Sequence, residues 1–99
     1  MTRIRYNHNT RDLNEQELVK TAQALGLQWL QDGPLDGWAW HPRERRWMPV
    51  EIKRPEREGM AHEYTPMQRR FFTWCRERNA PWWVWRTIAD VIRDAGGRT

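Results

Sequence analysis

The sequence predicts an α/β domain in which helices flank a small mixed β-sheet, in the order αβββαβα. Two observations point to it. Apolar residues recur at helical spacing after Asn14, Thr65 and Thr87, and at strand spacing in the segments between. Gly, Pro and Asn mark the changes of period. At 99 residues the chain has room for one such domain, here residues 11–99, preceded by a polar, flexible basic arm over 1–10.

Each element has its own local reason. Asn14 with Glu17 three places on forms a variant capping box, and Leu18, Ala22 and Leu25 give a helical stripe that Gly26 ends. A short strand, Leu27 to Leu30, is followed by the turn Asp32-Gly33-Pro34. Trp38 and Trp40 alternate with small or polar neighbours, so Gly37 to His41 reads as a strand. The charged turn Pro42 to Arg46 joins it to a second strand, Trp47 to Lys53, to make a hairpin, and Pro55 to Tyr64 is irregular. Thr65-Pro66 then starts a helix with a hydroxyl cap and a proline at its first position. On that helix Met67, Phe71, Trp74, Cys75 and Arg78 share one face, with Phe72 on its flank. Asn79-Ala80-Pro81 stops it, Trp82 to Trp85 is a short strand, and Thr87 caps a last helix that Gly96-Gly97 ends.

Composition narrows the function. No window approaches the roughly 18 apolar residues of a membrane span, and no signal-like apolar block follows the start. The single cysteine, Cys75, lacks partners at zinc spacing and sits on an apolar helix face, so it reads as a buried thiol in a reducing, cytoplasmic setting. His8, His41 and His62 are too scattered for a zinc or nucleophile site and read as surface residues. The net charge is +4, and of 17 Lys plus Arg only Lys20 and Lys53 are lysine. Arginine suits bidentate contact with phosphate, which makes a polyanion a natural partner. Eight tryptophans are many for so small a core, so Trp38, Trp40, Trp82, Trp83 and Trp85 are candidates for surplus apolar surface.

The strand ending Val50-Glu51-Ile52-Lys53 carries the chemistry. Alternation puts Val50 and Ile52 on one side, Glu51 and Lys53 on the other. Asp36 begins the other arm of the hairpin and falls near Glu51 if the arms pair. Converging carboxylates repel, and a divalent cation that keeps some of its waters relieves that repulsion. Alone, Glu-x-Lys on a strand is an ordinary surface ion pair.

Together, Leu35-Asp36 and Glu51-Ile52-Lys53 resemble the signature of the PD-(D/E)XK nucleases. The fuller order is similar to the minimal VRR-NUC-type branch found in phage and bacteria: Asn14-x-x-Glu17-Leu18-Val19 before the acidic turn, and Thr65-Pro66-Met67-Gln68 after the strand. Leu35 stands where the family has proline, and Trp38 and Trp40 where it has aliphatic residues.

The resemblance implies a restriction-endonuclease-like core and a Mg2+- or Mn2+-dependent endodeoxyribonuclease without a nucleotide cofactor. Asp36, Glu51 and the Ile52 carbonyl would ligate the metal, with Glu17 contributing from the first helix. Lys53 would position the water, and Gln68 would hold Lys53 or a phosphate. Arg43, Arg45 and Arg46 at the hairpin turn, Arg54 and Arg57 after the strand, and Arg69 and Arg70 beside Gln68 would meet DNA. With no recognition helix visible, structure-selective cutting of branched DNA by a homodimer leads, resembling a four-way-junction resolvase, ahead of a nicking enzyme. The setting implied is the cytoplasm of a bacterial or phage-infected cell. The alternative is a DNA- or protein-binding module that keeps the fold without catalysis.

Overall fold

The computed structural model describes residues 14–61 and 63–96. The expected basic arm over 1–10, His8 and His62 lie outside them. The elements are helix α1 (14–24), strands β1 (Gln28–Leu30), β2 (Gly37–His41) and β3 (Arg46–Ile52), helix α2 (Pro66–Glu77), strand β4 (Trp83–Trp85) and helix α3 (Ile88–Gly96). A 3-10 turn, Pro55–Arg57, interrupts the irregular stretch after β3. Residue 14 is already helical, so Asn14 is not the cap of α1 that its side chain suggested.

The four strands form one sheet in the order β1-β2-β3-β4. The first three are antiparallel; β3 and β4 are parallel, which requires the crossover that α2 supplies. One sheet face carries Ala39, Val50, Ile52 and Trp85, packed with Leu18 and Ala22 of α1, Leu27, and Val91 and Ala95 of α3. Burying each large aliphatic side chain there contributes about 1.5–3 kcal/mol. Ala39 leaves room on the β2 part of that face, and Trp29 of β1 stacks on Trp85 of β4 at 5.9 Å. Gly37 is part of that arrangement, because a Cβ there would drive into the Trp29 ring. The buried Trp85 indole N–H donates to Asp94 of α3.

Helix α2 covers the opposite face, where its Gln68 meets Glu51. The face of α2 turned inward differs from the one its apolar pattern suggested. Phe72 and Cys75 are its buried residues, whereas Met67 and Trp74 are exposed. The reason is Gln68: Gln68, Phe72 and Cys75 follow the helical repeat, so anchoring the glutamine to the sheet rotates the Met67–Phe71–Trp74 row outward. Burial pushes the Cys75 thiol up, with the Arg78 charge opposing it.

The tryptophans of β4 are likewise not surplus surface. Trp83 and Trp85 share the core face, stacked at 5.9 Å, and Trp82 stacks on Phe72. Trp38 and Trp40 are half-buried, and the exposed tryptophans are Trp47 and Trp74. His41 is not a surface residue either: it is buried, and its Nδ1 accepts from the Glu44 N–H to close the hairpin turn. No helix among the described residues is long and apolar enough to cross a membrane.

Candidate active site

The candidate site lies where β3 ends. The β2–β3 register pairs Gly37 with Val50, so Asp36 arrives beside the last residues of β3. Its Oδ2 accepts from the Ile52 N–H at 2.7 Å. Glu51, on the α2 side of the sheet, is fully buried, and its Oε2 meets Lys53 Nζ at 3.2 Å. Gln68 Nε2 donates to that same oxygen at 2.8 Å, and Lys53 Nζ donates to Gln68 Oε1 at 3.3 Å. A carboxylate, an ammonium and an amide are thus closed into one triangle. An amide suits this place because it offers a donor to Glu51 and an acceptor to Lys53.

Gln68 also belongs to the start of α2. Its N–H donates to Thr65 Oγ1 at 3.1 Å, and its Oε1 accepts from the Thr65 N–H at 3.0 Å, a reciprocal capping box. The helix start therefore fixes the residue that holds Glu51 and Lys53.

A cleft of about 340 Å³ opens in front of the triangle, lined by Lys53, Gln68, Thr65, Arg54, Arg57 and Glu63 among others. Tyr64 places its ring 5.0 Å from Lys53 Nζ, a cation–π contact. Behind it Arg86, the residue after β4, donates to Tyr64 Oη at 3.2 Å and pairs with Glu63. Burial by itself would raise the Glu63 carboxyl. The Arg86 hydrogen bond, the Gly59 N–H and the charges of Arg86 and Lys53 outweigh it and hold the group below the usual range. Burial likewise opposes the Arg86 charge, but Glu63 and Tyr64 more than restore it and push its pKa up. Glu63, Tyr64 and Arg86 carry no local sequence signal; only the parallel pairing of β3 with β4 puts Arg86 at the same sheet end as Lys53.

Of the expected site residues, Asp36, Glu51, Ile52, Lys53 and Gln68 are brought together. Glu17 is not. It lies one position before the buried Leu18, which turns its side chain outward, whereas Asn14, four before Leu18, follows the inward stripe and lines the cleft. The acid on α1 that is tied toward Asp36 is Glu15, through Gln31, whose amide N–H group reaches both the Glu15 carboxylate and the Asp36 carbonyl at 3.3 Å.

The arginines divide in the same way. Arg54 and Arg57 line the cleft, and Arg69 and Arg70 follow Gln68 on α2. Arg43, Arg45 and Arg46 do not approach it. The register puts their turn at the His41–Arg46 end of the hairpin, about 14 Å from the Gly37–Val50 end. There Arg43 donates to the Ala95 carbonyl near the C-terminus of α3, and Arg46 pairs with Glu44.

Among the described residues no group of three or more His, Cys, Asp or Glu side chains gathers to hold an ion. The donors present at the end of the hairpin are the carboxylates of Asp36 and Glu51 and the Ile52 carbonyl. Oxygens of this kind are the ones magnesium takes, one or two carboxylates with several waters kept. No family model, no curated protein and no solved structure matches the chain.

Proposed function

We propose that this protein is a metal-dependent endodeoxyribonuclease of restriction-endonuclease-like fold, resembling the VRR-NUC-type branch of the PD-(D/E)XK nucleases. The observation that supports it is the triangle of Glu51, Lys53 and Gln68, with Asp36 bonded to the intervening Ile52 N–H, beside a cleft that Lys53 and Gln68 line together with Arg54 and Arg57. Asp36, Glu51 and the Ile52 carbonyl would hold Mg2+ or Mn2+. When bound, the metal supplies a more acidic water and neutralises charge on the phosphate.

The chain's own groups do the rest. Lys53 Nζ, held by Gln68 and Glu51, orients the attacking water and donates toward a phosphate oxygen as negative charge grows there. Arg54 and Arg57 meet the phosphates on either side of the scissile bond. Glu63, Tyr64 and Arg86 form the wall that keeps Lys53 in place. The preferred substrate is branched DNA, cut by a homodimer.

A second reading draws on a specific observation. Glu51 is fully buried and its Oε2 is held by Lys53 and Gln68, an arrangement that a non-catalytic DNA- or protein-binding module would also keep. One experiment separates the two. The purified protein is incubated with supercoiled plasmid and with a four-way junction in magnesium, manganese or EDTA, beside the Asp36→Ala and Glu51→Ala variants. Nicking or resolution that needs metal, and that falls about a hundredfold or more in both variants, is expected. Binding without any cleavage selects the second reading; cleavage by both variants at the parent rate removes the assignment of Asp36 and Glu51.

A further inference from the structure

Helix α2 carries a surface that the candidate site does not use. Met67, Phe71 and Trp74 recur at helical spacing on its outer flank; Met67 is 63% and Trp74 48% exposed. The Phe71 and Trp74 rings lie nearly parallel, 11° apart, with centroids 6.1 Å apart. The Arg78 guanidinium lies 4.2 Å from the Trp74 ring centroid and extends the row. Arg70 and Trp74 share a shallow groove along the helix. The Arg70 side chain makes no hydrogen bond or ion pair among the described residues. From Pro66 to Arg78 the helix and its cap bear Arg69, Arg70, Arg76 and Arg78 against a single acid, Glu77. Thr65 and Gln68, at the start of the same helix, line the cleft.

We infer that the Phe71–Trp74–Arg78 row is a stacking platform for the unpaired bases of a nucleic-acid strand, with Arg70 and Arg78 on its phosphates. Aromatic rings interleaved with arginine suit single strands, since every base has a face to stack and the backbone needs cations. A duplex hides its base faces and gains little from Trp74. A second copy of the chain is a poor occupant, because two such arginine-rich helices would face each other with like charge. The inference rests on the nuclease reading only for direction: a strand stacked on α2 leads along the helix to its first turn and so into the cleft. It makes the substrate DNA with an unpaired segment next to the cut.

The test is binding in EDTA, so that cleavage plays no part. Labelled oligothymidylate and a blunt duplex are titrated by fluorescence anisotropy against the parent protein, Trp74→Ala, Trp74→Phe and Arg78→Ala. Trp74→Ala is expected to weaken oligothymidylate binding about tenfold more than duplex binding, within the range of one lost base stack. Trp74→Phe should restore most of it, and Arg78→Ala should weaken binding with a flatter salt dependence. The platform is overturned if the parent fails to bind oligothymidylate, if Trp74→Ala binds it like the parent, or if the loss is equal on the duplex. It is also overturned if sedimentation shows that Trp74→Ala dissociates a dimer while strand binding is kept. A protein that shows the expected binding but never cleaves retains the platform and loses the nuclease reading.

Discussion

Gln68 carries more of the candidate site than any other side chain. It donates to Glu51, accepts from Lys53 and caps its own helix, and no apolar substitute can do any of these. On the nuclease proposal, Gln68→Ala should lower kcat with a smaller change in KM, because Lys53 loses its orientation while Arg54 and Arg57 still line the cleft for phosphate. An equal loss in KM would place Gln68 in substrate binding instead. Gly37 is a structural counterpart. Adding a methyl group there drives into the Trp29 ring, so Gly37→Ala should cost about 1–3 kcal/mol in urea unfolding. No change in the midpoint would mean that the ring moves freely. Residues such as Asp36, Glu51 and Lys53 were legible in the sequence because strand alternation and hairpin pairing are local rules. Glu63 and Arg86 were not: they lie 23 positions apart and meet only through the tertiary fold.

At the scale of elements, the segment between β3 and α2 is fastened at both ends. Lys53 pairs its N–H with the Trp85 carbonyl, and Glu63 is tied to Arg86 just beyond β4. The sign of the pH dependence follows from the lowered Glu63 pKa. Its contribution is fully present above the ordinary carboxylate value and is lost as pH falls through the folded value. Glu63→Gln should therefore cost about 1.5–3 kcal/mol near neutral pH, and the difference from the parent should shrink on acidification. A difference that stays constant down to acid pH contradicts the ionic tie. Helix and strand boundaries were legible here because caps and turns are short-range, as Thr65-Pro66 shows. Which face of α2 turns inward was not, since apolar spacing alone cannot weigh a glutamine that binds a buried glutamate.

For the whole molecule, the sheet order joins a local hairpin meander to one long-range parallel pair, β3 with β4, through α2. The αβββαβα order followed from the sequence because each change of period is marked by a breaker residue. Tryptophan content misled about surface: Trp29, Trp83 and Trp85 fill one core face within a single chain, so the case for a homodimer rests on symmetric incision of a junction. Sedimentation at micromolar concentration should give twice the chain mass if the protein resolves junctions. A monomer that cuts both strands symmetrically would contradict that requirement.

The capping box at Thr65–Gln68 ties helix initiation to the integrity of the site. Any fluctuation that frays the first turn of α2 must also release Glu51 and Lys53, so local opening and loss of the site are one event. The Arg69 amide, bonded to the Thr65 carbonyl, is the reporter. Its hydrogen–deuterium exchange should accelerate in Thr65→Ala in step with the loss of turnover, and slow when a phosphate-bearing strand fills the cleft. Exchange at that amide independent of both would separate the helix from the chemistry.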